Sequence, residues 1–405
     1  MIQKLLLENW KSFKNAELYI DPLTFLIGTN ACGKSNILDA LQFLYRIASG
    51  ISINSAINGD LGLSAIRGGC EWLFKLGEST CKIGVDIKLG QRNATYTYSI
   101  SLRKIDSNRC EILDERLSVH TPTAKNPDKI LYYTDREEPG HAIIPVYFHT
   151  GKQGKPRRLD INRASAILSQ LDNHNINKDI KEVAKNIRED LKKIFILDPI
   201  PSHMRAFSRL SVSLSPDAAN IAGVLAAMDE SQKSEIEKKI TTYLRPLPEK
   251  DIKRIWAEKV GLLGTDAIIY CEEEWTPGNG IIIDARGMSD GTLRFISIIT
   301  ALLTTKENSL LVIEEIDNGF HPSRAKELLK VLKELANERN IDILCTTHNP
   351  ALIDAAGNSM IPFISYVKRN DNTGDSEIEL LEEKSDIIKL LAGSSIGTLM
   401  ILDKI

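Results

Sequence analysis

Three hydrophobic rhythms divide the chain. Up to about residue 120, apolar and polar positions alternate in QKLLLENW, AELYI, LTFLI, KIGVDIKL, ATYTYSISL and RCEILDERL, with Gly-, Asn- or charge-containing breaks between the runs. A period of two sends successive side chains to opposite faces of a strand, so this part predicts an antiparallel β region. One helix interrupts it, from Lys34 to about Ala48. Between 156 and 275 apolar residues recur at three and four along Asn162–Leu171, Lys178–Ile194, Pro216–Met228 and Ser231–Leu244, the spacing of amphipathic helices. Strand-like runs around Ile255 and at AIIYCEEE close that block. The remainder alternates: GIIID, a helix over Ser289–Thr304, SLLVIEE, a helix over Pro322–Glu338, IDILCTT, and a short helix after Asn349. Apolar strands alternating with helices predict a helix-covered parallel sheet. No heptad pattern lasts three repeats, so no coiled-coil rod is expected. The expected domains are 1–155, a first lobe, 156–275, a mainly helical insertion, and 276–405, a second lobe.

Chemistry enters at GTNACGKS, Gly28 to Ser35, which follows LTFLI and opens the helix SNILDALQFLY. Small residues there let backbone N–H groups wrap a phosphate and the helix N-terminus adds positive potential. Lys34 then reaches the β/γ oxygens, and Ser35 holds magnesium. SLLVIEEID, 309–317, is an apolar strand delivering two acids at its carboxyl end, where ligands bind in open parallel sheets. Glu314 is expected to orient the magnesium shell and Glu315 to position or deprotonate the attacking water; as adjacent strand residues they face opposite ways. Upstream, in RGMSDGTLRFISIITALL, Ser289 is a good N-cap, Asp290 suits a first turn, and Gly291 would let a ligand approach the backbone.

With His348 in CTTHNP ending the next strand, the set resembles the ATP-binding-cassette superfamily, in the branch of RecF-like, chromosome-maintenance and OLD ATPases. GTNACGKS resembles its phosphate loop, MSDGT its signature, VIEE its acidic strand and TTHNP its switch histidine. The resemblance implies an α/β fold: an ABC-type ATPase head with a mixed or parallel P-loop core, an antiparallel β lobe and a compact helical insertion. It implies ATP and Mg2+ as ligands. Gly28, Asn30, Ala31, Cys32, Gly33, Lys34, Ser35 and Asn36 would surround the nucleotide, with Ser35 and Glu314 on the metal and Lys34, Glu315 and His348 in catalysis. Ser289, Asp290 and Gly291 would face the γ-phosphate held by a second copy, making ATP the glue of a homodimer. ENWKSF resembles the family's opening strand and would bring Lys11 and Ser12 near the nucleotide, with Trp10 a packing candidate; GFHPS, Gly319 to Ser323, resembles the segment that crosses the dimer interface.

Three features depart from the family pattern. Asp290 stands where glycine is usual and Glu314 where aspartate is usual, and the glutamine that normally follows the first helix has no clear counterpart. Gln91, Gln153 and Gln170 are candidates, and IRGG at 66–69 offers an arginine as a substitute. The branch includes compact stand-alone ATPases that accompany a nuclease or other effector, many in bacterial defence against phage. A separately encoded effector is therefore expected.

Composition narrows the rest. A net charge of −3 excludes a surface uniformly built for nucleic acid, although GKQGKPRR, with Lys152, Lys155, Arg157 and Arg158, leaves nucleic acid open as a partner. Six cysteines with no CxxC pairing predict neither a disulfide framework nor a zinc site, in keeping with a reducing cytoplasm. Apolar runs such as Ile296–Leu303 are far short of the roughly 18 residues that cross a bilayer, so no membrane association is expected. The C-terminal stretch after 360 is expected to form a hairpin-like ending and a helix, with Glu377, Glu379, Glu382 and Glu383 as solvated faces.

Overall fold

The computed structural model describes residues 1–90, 93–135, 138–149, 155–245, 252–276 and 278–402. Its two units are not the three consecutive blocks suggested by chain order. Segments 1–21, 27–194 and 365–380 form the first, and 22–26, 195–364 and 381–405 the second.

The first unit is dominated by strands. From Ile2–Trp10 the sheet runs through Thr80–Lys88, Thr95–Lys104, Cys110–His120, Asp128–Thr134 and Ile143–Phe148 to Arg157–Asn162, every neighbour antiparallel. On its other side, Ile2–Trp10 pairs with Phe13–Tyr19. That strand meets Ser376–Leu380 in parallel at Phe13 and Ser376, and Ser376–Leu380 pairs back on Ile364–Arg369. Registration turns alternation into a core. Leu5, Val85, Tyr98, Leu117, Tyr132 and Phe148 are successive cross-strand partners and all are buried. Helix Lys34–Ala48 packs against Ile53–Asn58 and Lys178–Leu191. In the polar middle of this core Glu115 accepts N–H bonds from Ile167 at 2.7 Å and Leu168 at 2.8 Å and the Tyr132 hydroxyl at 2.9 Å. Burial nevertheless pushes its carboxyl up to about 7, because removing the charged form from water outweighs these bonds.

In the second unit the strands Ile194–Leu197, Leu310–Ile313, Asp342–Thr347 and Leu23–Ile27 are neighbours in that order. The Leu310–Asp342 register is parallel, as alternation with helices requires. Helix Asp290–Thr304 packs against Ala325–Arg339 and Glu230–Leu244. GIIID departs from expectation. It forms Asn279–Asp284, which pairs antiparallel with Asp266–Thr276 in a separate four-stranded sheet, together with Ile252–Val260 and Ser208–Arg209. Four residues of Asn279–Asp284 are exposed, so its apolar run marks a solvent-facing outer strand rather than a buried parallel one.

Helix boundaries in the 156–275 block also shift. Asn162 ends a strand and the helix begins at Ile167; Lys178 begins a helix that stops at Leu191, leaving Ile194–Leu197 extended; the segment from Pro216 becomes helical only at Ile221. No helix of the described residues is long and apolar enough to cross a membrane. All six cysteines are buried and free.

Candidate functional site

The phosphate loop lies within the first unit, and its backbone explains its sequence. Gly28, Ala31 and Gly33 have φ of 147°, 63° and 118°. A Cβ on Gly28 would sit 2.2 Å from the Val367 carbonyl, and one on Gly33 would sit 2.7 Å from Ser376 Oγ. Both glycines are therefore required by close approach as well as by φ. Lys34 Nζ folds over the loop, donating to the carbonyls of Gly28 at 2.7 Å and Thr29 at 2.9 Å. Asn30 and Ala31 are exposed at the tip, while Cys32 is buried beneath it. The following helix has Gly33 at its N-cap and no side-chain cap, so the N–H groups of its first turn point to the loop without a competing side chain. A glycine turn, a lysine and an uncapped helix N-terminus are the parts of a phosphate-binding loop.

Beneath the loop runs a chain of hydroxyls. Asn36 Nδ2 donates to Ser12 Oγ at 2.8 Å; Ser12 and Ser376 Oγ are 2.7 Å apart; Ser376 Oγ donates to the Cys32 carbonyl at 2.5 Å. Each serine has one proton, so the directed order Asn36, Ser12, Ser376, Cys32 satisfies every donor. Ser12 thus props the loop from below. Ser376 was not among the expected residues. It comes from a hairpin 344 residues downstream of Cys32, and its only local sign is a serine in an ordinary strand.

Lys11 is engaged by the helix that follows the loop and by the IRGG segment. Its Nζ bonds Asp39 at 2.5 Å and the Arg67 carbonyl at 2.6 Å, and burial lowers its pKa more than Asp39 raises it. Trp10 is fully buried, donating to the Asn36 carbonyl at 2.8 Å and packing on Phe43, which makes it a pin for the helix. Arg67 of IRGG lies against the loop: Nη1 is 3.3 Å from the Ser35 carbonyl and 3.6 Å from Asp39 Oδ1. Gln170 Nε2 donates to the Asn162 and Ser165 carbonyls, each at 2.8 Å. Gln91, Gln153 and Lys152 lie outside the described residues.

The second unit holds the other motifs. The acidic strand ends at Ile313, and Glu315 takes a left-handed φ of 46°, so strand alternation does not govern the two glutamates. Their separation comes from a turn. Glu314 N–H donates to the Leu197 carbonyl at 3.0 Å and Glu315 N–H to Thr346 Oγ1 at 2.8 Å, fixing the backbone while the Glu315 carboxylate accepts from Asn318 at 3.3 Å. Asp317, two residues on, is buried with Oδ1 lacking a hydrogen-bond partner among the described residues. Ser289 caps its helix, accepting from Thr292 N–H at 3.1 Å.

Asp290 is held by Arg205, whose Nη2 reaches its carboxylate at 2.7 Å and the Met288 carbonyl at 2.9 Å. Gly291 has a packing reason beyond ligand approach: a Cβ would meet the Gly319 carbonyl at 2.6 Å and Arg324 Nη1 at 3.0 Å. GFHPS turns through a bond between His321 Nδ1 and Ser323 Oγ at 2.9 Å. His348 is exposed at the end of its strand, and Asn349 caps the next helix. Glu377 and Glu379 both face Lys368, at 3.9 and 2.5 Å, as solvated strand residues do.

A glycine-lined phosphate cradle on a mixed sheet, with a separate capped helix and acidic strand, defines an ABC-type ATPase head. The chain belongs to the family described as "AAA domain, putative AbiEii toxin, Type IV TA system", whose model matches residues 23–354. It is 33% identical over 125 residues to the DNA replication and repair protein RecF of Rickettsia canadensis (strain McKiel), an alignment covering 30% of this chain and 31% of that protein. It is 34% identical over 74 residues to ABC transporter G family member 22 of Dictyostelium discoideum, covering 18% and 11%. These matches thus span about a third or less of the curated relatives. Among solved structures it is similar to an SmcHead bound to the C-winged helix domain of ScpA, with a TM-score of 0.55 and 14% identity over 93% of this chain and 97% of that one.

Proposed function

We propose that this chain binds and hydrolyses ATP with magnesium, closes on a second copy of itself around the nucleotide, and uses that cycle to switch a separately encoded effector in defence against phage. The observation that carries the nucleotide reading is the loop at 28–35. Two glycines are there by steric necessity, a lysine lies across the carbonyls, and an uncapped helix N-terminus lies behind them. Lys34 and the N–H groups from Asn30 to Ser35 would hold the phosphates, and Ser35 and Glu314 the metal, which supplies charge neutralisation when bound. Glu315 would hold the attacking water and accept its proton, with His348 on the γ-phosphate. Ser289, Asp290 and Gly291 would serve the nucleotide of the other copy. Arg205 keeps Asp290 in place at the head of the signature helix.

The family's description, "putative AbiEii toxin, Type IV TA system", favours a chain that works within a two-gene system, and it names no separate effector. The RecF match supports a second reading, direct action on DNA in repair. Turnover assays of Lys34→Ala and Glu315→Gln test the core of the proposal. Both should lose magnesium-dependent phosphate release, and only Lys34→Ala should lose ATP binding. Retained release in Glu315→Gln would reject the assigned role of Glu315. Copurification of the untagged neighbouring gene product would favour the switch, and turnover stimulated by duplex DNA would favour repair.

A further inference from the structure

The outward face of the first unit's sheet carries a feature the nucleotide chemistry does not use. Cross-strand register aligns Arg116 with Tyr133, Tyr133 with Tyr147, and Tyr147 with Arg158, a row of four residues on four adjacent strands. The buried row Leu117, Tyr132 and Phe148 belongs to the opposite face, so Tyr133 and Tyr147 project away from the core, and both remain partly exposed. Their rings are stacked, with centroids 5.3 Å apart and planes 16° apart, and His149 lies 5.9 Å from Tyr133. Three inter-strand steps of about 4.8 Å put the flanking arginines roughly 14 Å apart at the backbone.

The charges at both ends of the row are exposed. Arg116 makes no ion pair among the described residues, and Arg158 meets Asp160 across a solvated 3.0 Å contact. The sheet continues past Arg116 with Ser99, its register partner, so the platform is flanked by a small side chain rather than by another acid.

We propose that this face binds single-stranded nucleic acid, with bases stacking on the Tyr133–Tyr147–His149 cluster and Arg116 and Arg158 on the phosphates. Stacking needs unpaired bases, because a duplex hides its base faces; aromatic rings set on a flat sheet between cations are how sheets hold single strands. The chemistry is shared by DNA and RNA, since neither stacking nor phosphate pairing reads the sugar. The site lies entirely within one unit and requires no nucleotide, so it is independent of the ATP reading.

The test is fluorescence anisotropy with labelled oligothymidylate and oligouridylate of about 20 nucleotides and a duplex of equal length, without ATP. The wild-type chain should bind both single strands and prefer them to the duplex. Tyr147→Ala should weaken them by about five- to 100-fold, Tyr147→Phe should retain most of the affinity, and Arg116→Ala with Arg158→Ala should flatten the salt slope by about 1.4. Lys34→Ala should bind as wild type does, which separates this site from the nucleotide site. Binding of only one of the two single strands would overturn the claim that the contact is common to DNA and RNA. Equal affinity for duplex, or Tyr147→Ala binding as tightly as wild type with an unchanged thermal midpoint, would overturn the proposal.

Discussion

Replacing Ser376 by alanine isolates the hydroxyl chain under the phosphate loop. The side chain is 1% exposed, donates to the Cys32 carbonyl at 2.5 Å and lies 2.7 Å from Ser12 Oγ. Its loss leaves a buried carbonyl without its side-chain donor and Ser12 without an acceptor for its proton. Water has little access there, so the orphaned groups should cost about 1–3 kcal/mol. For a unit of roughly 200 residues, each kcal/mol corresponds to about 2–4 °C, so the unfolding midpoint should fall by about 2–12 °C. Because Cys32 lies inside the cradle, part of that cost should reappear as weaker ATP binding, a rise in Kd of about five- to 30-fold if 1–2 kcal/mol reaches the loop. Glu379→Ala, on the same strand but solvated, should change neither. Differential scanning calorimetry and equilibrium binding of a fluorescent ATP analogue make the comparison. A Ser376→Ala protein with wild-type midpoint and Kd within twofold of wild type would refute the idea that this hairpin holds the loop.

Gly291→Ala should destabilise the chain by about 1–3 kcal/mol, since the new methyl would lie 2.6 Å from the Gly319 carbonyl; an unchanged midpoint in thermal unfolding would contradict the packing reason for that glycine. Glu115→Gln should remove a pH dependence. Its folded-state pKa of about 7 lies above the ordinary 4.5, so the native state holds more protons in this window and wild-type stability should fall as pH rises from about 4.5 to 7. That contribution is on the order of 3 kcal/mol, fully present below the unfolded value, and urea unfolding across the window should show a flatter profile for the glutamine variant. Equal slopes in the two proteins would reassign the buried carboxylate.

Sequence alone revealed what depends on local spacing. The helix opening at Lys34, the cap at Ser289 and the strand Asp342–Thr347 each follow from a few adjacent residues, and so does the pairing of Ile364–Arg369 with Ser376–Leu380. What it missed depends on chain crossings. Ser376 gains its place because its hairpin joins the first unit, and Arg205 reaches Asp290 from 85 residues away. The GIIID strand misled because an apolar run does not say which neighbour it pairs with, and Asp266–Thr276 claimed it. Strand alternation likewise gave the wrong reason for separating Glu314 from Glu315, since the turn with its left-handed φ at Glu315 does so instead. The row of Tyr133, Tyr147 and Arg158 was invisible for a related reason: register across three strands is set by turns, and a one-residue slip would turn those side chains to the other face.

The proposal that ATP joins two copies is tested most directly by the mass of Glu315→Gln in solution, measured by light scattering after size exclusion with and without ATP and magnesium. A shift from one chain to two on adding ATP, abolished in the Lys34→Ala/Glu315→Gln double variant, is the predicted result. A mass that stays at one chain with nucleotide demonstrably bound would contradict it.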